Sequence, residues 1–80
     1  MRHLRLYYRR DCHLCEEMLE RLAPYQQRGQ LGLELIDIDR SADERSAYRT
    51  RIPVLENPEG ECLSEYFLDE DALLSYLDGG

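Results

Sequence analysis

Lysine is absent from this chain of 80 residues, and so is tryptophan; phenylalanine occurs once and proline three times. Ten arginines therefore supply all the fixed positive charge, against seventeen aspartates and glutamates, for a net charge of −7. We read the missing lysine as coding bias rather than mechanism. The missing positive balance says more. A protein that grips a phosphate backbone needs a basic face, so nucleic acid is excluded as a partner. An anionic bilayer surface is disfavoured for the same reason. No apolar run approaches the ~20 residues that span a bilayer. Met1-Arg2-His3 leads into no apolar signal segment, so the expectation is a cytoplasmic protein that does not engage membranes. Repeats, linkers and low-complexity stretches are also missing. The chain is expected to form one domain over residues 1–80, with 42 % hydrophobic residues to build its core.

Cysteine is scarce as well, and its three copies are an odd number. That does not fit a secreted disulfide framework. Cys12 and Cys15 form a Cys-x-x-Cys pair near the N-terminus, while Cys62 stands alone. In a reducing cytosol such a pair is redox-active, metal-binding or inert.

The pattern along the chain narrows the choice. His3–Tyr8 alternates with Leu4, Leu6 and Tyr8 on one face, which predicts a strand. From Cys12 the period changes, and Leu14, Met18, Leu22 and Tyr25 mark an amphipathic helix of about four turns. Pro24 is expected to bend or end it, with Gly29 as the final stop. Leu33–Asp39 predicts a second, largely buried strand. Ser41 with Glu44 matches a capping box, opening a short helix to about Tyr48 or Thr50. Ile52–Leu55 predicts a third strand, and Asn57-Pro58-Glu59-Gly60 a turn into a fourth over Glu61–Ser64. Asp69 can cap a last helix that presents Ala72, Leu73, Tyr76 and Leu77 on one face and ends at Gly79-Gly80. The order is β-α-β-α-β-β-α. A strand–helix–strand start implies a right-handed parallel crossover. The later turn implies an antiparallel pair. Together they predict an α/β fold with a mixed four-stranded sheet and helices on both faces.

Cys12-His13-Leu14-Cys15 falls where the first strand hands over to the first helix. A thiol at a helix N-terminus faces unpaired N–H groups and the positive end of the dipole, which can lower its pKa from ~8.5 toward ~3.5–7.5. The second thiol, one turn deeper, is in reach of a mixed disulfide on the first. On that spacing Cys12 attacks and Cys15 resolves.

On these residues the chain resembles the thioredoxin-fold oxidoreductases, and among them the glutaredoxin-like proteins. Leu4–Cys15 and Arg51-Ile52-Pro53-Val54 carry the likeness, which covers essentially the whole chain at the level of element order. The resemblance implies a thioredoxin-like fold, a redox-active dithiol, and thiol–disulfide exchange in cell redox homeostasis. It implies that Cys12 is the nucleophile and Cys15 its resolving partner. Pro53 looks like the family's cis-proline, whose loop, here Arg51 and Ile52, offers backbone groups to a bound peptide or glutathione. Arg9 stands three residues before Cys12, where glutaredoxins often carry a cation that favours thiolate. No bound cofactor is implied. Glutathione is a candidate co-substrate beside a disulfide in a protein or small molecule, and the working unit is expected to be a monomer. The chain also departs from the family. His13-Leu14 replace the usual Pro-Tyr, restoring a backbone N–H and adding an imidazole that would favour thiolate when protonated, whereas Asp11 opposes it. Arg51 stands where the family usually has Thr, and Ser64-Glu65-Tyr66-Phe67-Leu68-Asp69 where it has Gly-Gly followed by acidic residues that hold glutathione's glutamyl end.

The alternative class is a non-catalytic module that binds a protein partner, a metal or an iron–sulfur cluster through the same cysteines. A closed zinc site needs four ligands. Cys12, Cys15, His13, His3 and Cys62 could contribute, but no second Cys-x-x-Cys or His pair exists. His13 reads as a solvent-facing modulator, His3 as surface, and Cys62 as a small core or edge residue. The six tyrosines read mostly as packing residues by their spacing, with Tyr8 set apart by its nearness to the cysteine loop. The acidic residues of the last third read as a solvated face, which could also select a basic partner.

Overall fold

The computed structural model describes residues 2–79; Met1 and Gly80, the second half of the expected Gly79-Gly80 stop, lie outside them. Four strands, β1 (Arg2–Tyr8), β2 (Leu31–Asp37), β3 (Val54–Glu56) and β4 (Cys62–Glu65), form one sheet in the order β2-β1-β3-β4. Three α-helices, α1 (His13–Gln27), α2 (Ala42–Tyr48) and α3 (Glu70–Leu77), complete the predicted β-α-β-α-β-β-α order. A 3₁₀ turn at Ile38–Arg40 leads from β2 into α2.

β1 runs through the middle, with Leu4 and Leu6 buried on one face and Tyr7 on the other. It pairs parallel with β2, from Arg2 opposite Leu31 to Tyr8 opposite Asp37, and antiparallel with β3, where Leu6 faces Leu55. Leu4 and Leu6 point to one side, where Leu55, Met18 and Leu22 of α1 and Leu73 of α3 close the larger core. Tyr7 points to the other, among Ile36, Ile38 and Val54, with Tyr48 of α2 packed on top. The Tyr7 and Tyr48 rings stack 4.1 Å apart at 12°. Helices therefore cover both faces, as the order implies. Truncating one buried leucine costs ~2–5 kcal/mol, a large share of the roughly 4–12 kcal/mol that stabilises a chain this short.

Several boundaries differ from expectation. Pro24 lies inside α1, which continues to Gln27. The proline is exposed, so the Glu20 carbonyl it deprives of a partner can turn to water. The Pro24 carbonyl itself accepts from the Arg28 N–H at 3.1 Å, closing the helix end. β2 starts at Leu31 rather than Leu33 and stops at Asp37, whose side chain accepts from the Asp39 N–H at 2.9 Å and curls the chain into the 3₁₀ turn. Nor is β2 largely buried. It is an edge strand, and Glu34 and Leu35 face solvent. β3 begins after Pro53, not at Ile52, because proline has no N–H for the ladder. β4 runs one residue later than expected, at Cys62–Glu65, and its pairing slips between Leu55 and Glu56, so that Glu56 faces Cys62.

The expected turn and caps stand where they were read. The Asn57 side-chain oxygen accepts from the N–H groups of Glu59 and Glu61 at 3.1 and 2.9 Å, and Gly60 takes the φ of 87° that closes the hairpin. Ser41 Oγ accepts from the Glu44 N–H at 3.1 Å, and Asp69 Oδ1 from the Ala72 N–H at 3.1 Å.

Candidate functional site

The parallel β1 delivers the chain to the top of the sheet, and the turn at Arg10-Asp11 reverses it into α1. Asp11 has a φ of 58°, a left-handed conformation that aspartate tolerates better than most residues. Cys12 follows in extended geometry as the N-cap of α1, a position normally filled by Ser, Thr, Asp or Asn. Its sulfur does the work of their oxygen, accepting from the Cys15 N–H at 3.2 Å. The two Cα atoms are 5.2 Å apart and the sulfurs stand at disulfide distance. The pair is asymmetric. Cys12 is half-buried, whereas Cys15 is 2 % exposed under the first turn.

The cations around this turn are engaged. Arg9 Nε donates to Asp39 Oδ2 at 3.0 Å, tying the cysteine loop to the 3₁₀ turn after β2, and Arg10 lies 3.9 Å from Asp37 at the end of β2. His13, exposed at the start of α1, has Nε2 3.1 Å from Glu17 Oε1. Arg51 Nε donates to Glu65 Oε2 at 3.1 Å while its guanidinium sits over the Tyr48 ring, 5.3 Å from the centroid. Sequence reasoning placed Arg9 where a cation favours the thiolate and Arg51 in the loop that meets a bound substrate. The structure turns Arg9 toward the 3₁₀ turn after β2 and Arg51 toward β4.

The Ile52–Pro53 bond is cis, and Pro53 is buried. Ile52 packs against the Tyr7–Val54 core, and its N–H donates back to the Tyr48 carbonyl at 3.1 Å, so that donor is spent inside the chain. The Pro53 carbonyl accepts from the Tyr66 N–H at 2.9 Å. Tyr66 is the residue that sequence reasoning missed. Grouped there with packing tyrosines, it is instead 42 % exposed, and Phe67 beside it 68 % exposed. Tyr66 also has a φ of 65°, which costs a bulky side chain about 1–3 kcal/mol and persists only where the surroundings fix it. Its N–H bond to Pro53 and its hydroxyl bond to the Thr50 carbonyl do so. Through Leu14, which lines a cleft together with Tyr66 and Phe67, this loop meets the cysteine motif. The available signal was the chain's one phenylalanine beside a tyrosine in an acidic connection.

Cys62 is an exposed free thiol on the edge strand β4, in line with an edge residue. Burial of its sulfur and then the Glu65 carboxylate push its pKa up, making it a poor thiolate. Tyr8 is half-buried at the end of β1, and His3 is exposed. Among the described residues no group of three or more His, Cys, Asp or Glu side chains is placed to hold a metal ion, and no helix is long and apolar enough to cross a membrane.

This geometry has solved counterparts. Protein XcR50 from X. campestris, determined by X-ray diffraction, is 36 % identical, with 96 % of this chain and 97 % of that one covered and a TM-score of 0.76. Its solution structure, also 36 % identical, aligns over 100 % of this chain and 96 % of that one at a TM-score of 0.73. Protein Ne2328 from Nitrosomonas europaea, solved by NMR in solution, is 41 % identical, with 94 % of this chain and 89 % of that one covered and a TM-score of 0.80. No curated protein matches the chain. The sequence profile of the family described as Glutaredoxin-like domain (DUF836) matches residues 3–78, from β1 past the end of α3 and across the cysteine pair. A thioredoxin-like fold with a Cys-x-x-Cys pair at the head of its first helix is thus joined to a family match over nearly the whole chain, and the protein belongs to the glutaredoxin-like domain family.

Proposed function

We propose that the chain is a thiol–disulfide oxidoreductase in which Cys12 attacks and Cys15 resolves. The observation that carries this reading is the asymmetry of the pair. An accessible sulfur sits at the N-cap of α1, and a buried one stands within disulfide distance of it. In the reduced protein the first-turn N–H groups and the positive helix end favour a thiolate at Cys12. That thiolate attacks one sulfur of a substrate disulfide. A bond forms between Cys12 Sγ and that sulfur, the substrate S–S bond breaks, and the departing thiolate takes a proton from water. Cys15, once deprotonated, then attacks Cys12 Sγ and releases the second substrate thiol. Two electrons have passed to the substrate, and the Cys12–Cys15 disulfide remains. A thiol reductant, with glutathione as the candidate co-substrate, restores the dithiol by the reverse exchanges.

We take the substrate to be a disulfide in a protein or small molecule and the working unit to be a monomer. An exposed free thiol at Cys62 fits a reducing compartment, and we propose the cytoplasm. The decisive experiment uses Cys15→Ser. That variant is expected to accumulate a mixed disulfide on Cys12, visible as added mass in intact-protein spectrometry, while Cys12→Ser neither traps nor turns over. Failure of the reduced wild-type protein to reduce any peptide or low-molecular-weight disulfide, with no adduct on Cys15→Ser, would overturn the reading.

A further inference from the structure

The two edges of the sheet are built differently. β4 is four residues long, and its pairing slips between Leu55 and Glu56, an irregularity of the kind that blunts an edge. β2 is seven residues long, keeps an unbroken register with β1 and contains no proline. Among the described residues no strand lies beyond it. The Arg2 N–H donates to the Gln30 carbonyl at 3.4 Å, which sets the phase of the ladder. Gly32, Glu34 and Ile36 therefore turn their backbone groups toward β1, and Leu31, Leu33 and Leu35 turn theirs outward. Leu35 also leaves 49 % of its surface in water. Such an edge is a template for another strand.

The residues along β2 are complementary to themselves. Two copies can meet antiparallel about a two-fold axis only in registers that set outward-bonding residues opposite one another. With the axis at Leu33, that residue faces Leu33 of the second copy, and Leu31 faces Leu35. Every outward leucine then meets a leucine, and each pair exchanges two backbone hydrogen bonds. Glu34 faces Gly32, which brings neither charge nor bulk. The neighbouring registers are worse. An axis at Glu34 sets carboxylate against carboxylate, one at Leu35 sets Leu33 against Asp37, and one at Gly32 leaves Leu35 against Gly29. Local charge does not oppose the approach. Glu34 has Arg5 at 3.7 Å, Asp37 has Arg10 at 3.9 Å, and Asp39 has Arg9 and Arg45 at 3.0 and 3.8 Å.

We infer that the outer edge of β2 is a docking surface for a second copy of this chain, joining two four-stranded sheets into one continuous sheet. Because the copies run antiparallel, the ends of β1 that lead into Cys12 point to opposite ends of the joined sheet. Each chain keeps its own complete cysteine pair, so the proposed exchange stays within one chain and the inference does not depend on it. The contact is one strand pair wide, at or below the ~1,200 Å² low end of specific interfaces. The dimer is therefore weak: it populates at about 0.1–1 mM protein and leaves the dilute protein monomeric.

Sedimentation equilibrium under reducing conditions, which keep Cys62 from cross-linking copies, reads the association. Wild-type protein is expected to pass reversibly from monomer to dimer over that concentration range. High salt should favour the dimer by screening the repulsion between two molecules of net charge −7. Leu35→Lys sets an ammonium against the buried Leu31 twice per dimer and should weaken association at least about tenfold. Since Leu35 is half in water already, its melting temperature should barely move, which separates lost docking from lost folding. The register is read by NMR on an equal mixture of isotope-labelled and unlabelled protein. An NOE is expected between the α-protons of Gly32 in one copy and Glu34 in the other, which face each other as a non-hydrogen-bonded pair about 4.5 Å apart at Cα. A monomer at every concentration and salt, a dimer indifferent to Leu35→Lys, or a dimer without that contact between copies would overturn the inference.

Discussion

At the scale of single residues, Tyr48 gathers contacts that no local pattern announces. Its ring stacks on Tyr7, its hydroxyl donates to Glu56 Oε2 at 2.9 Å, and its carbonyl accepts from the Arg51 and Ile52 N–H groups ahead of Pro53. Burial first, and then the bond to Glu56, push the Tyr48 phenol far above its ordinary value near ~10. The unfolded chain therefore gives up that proton at a lower pH than the folded one. The resulting stability is present in full below pH ~10 and is lost as pH rises above it. Thermal melting should accordingly fall more steeply above pH ~10 in the wild type than in Tyr48→Phe. At neutral pH the same variant leaves Glu56, only 6 % exposed, without its donor. It should lose about 1–3 kcal/mol in urea unfolding, and an unchanged midpoint would contradict the role given to this bond. Tyr7, Tyr48 and Tyr66 show why residue roles were less legible than residue types. The sequence marks them all as aromatic, but only the docking of α2 on β1 makes the first two a stacked pair, and only the Pro53 and Thr50 carbonyls hold the third at the surface.

At the scale of elements, helix starts were the most legible feature, because a cap acts within three residues of its own position. Ser41 and Asp69 were both read correctly for that reason. Asp69 does two jobs. Its carboxylate accepts from the Ala72 N–H, and its own N–H donates to the buried Ser64 Oγ at 2.8 Å. Asp69→Ala keeps the second bond and removes the first, so it should cost about 0.5–2 kcal/mol by denaturant unfolding. Asp69→Asn should recover most of that; equal losses in both variants would point to the charge rather than the cap. Element ends were less legible. Leu31-Gly32 looks like the tail of a loop until β1 lies beside it and supplies ladder partners from Arg2 onward. Pro24 looks like a stop until its exposed setting is known.

At the scale of the whole molecule, element order, the mixed sheet and the coverage of both faces all followed from the switch between periods of two and about 3.6. The sheet order did not, because nothing local says which strand ends at an edge. That is why β2 was expected to be buried. The cysteine pair was legible as a pair, whereas the aromatic wall beside it depends on two segments far apart in sequence. Charge also acts at this scale. With a net charge of −7 the molecule should attract cationic disulfides over anionic ones, through a field that reaches ~10 Å at 0.1 M ionic strength. If the proposed exchange is measured with cystamine and with an anionic disulfide of similar size, kcat/KM should favour cystamine at low salt. The gap should close as salt is raised, and a salt-independent ratio would argue against steering.

One detail ties these scales together. The sulfur of Cys12 is both the accessible atom of the pair and the acceptor that begins α1. Elsewhere in the chain these duties are separate: Ser41 and Asp69 cap helices without reacting, and Cys62 is exposed without capping anything. At Cys12 they fall on one atom, so a substitution that retunes the thiol also retunes the first turn of a helix that fills the main core. The thiol chemistry proposed for Cys12 and the local folding at this position are therefore inherited together.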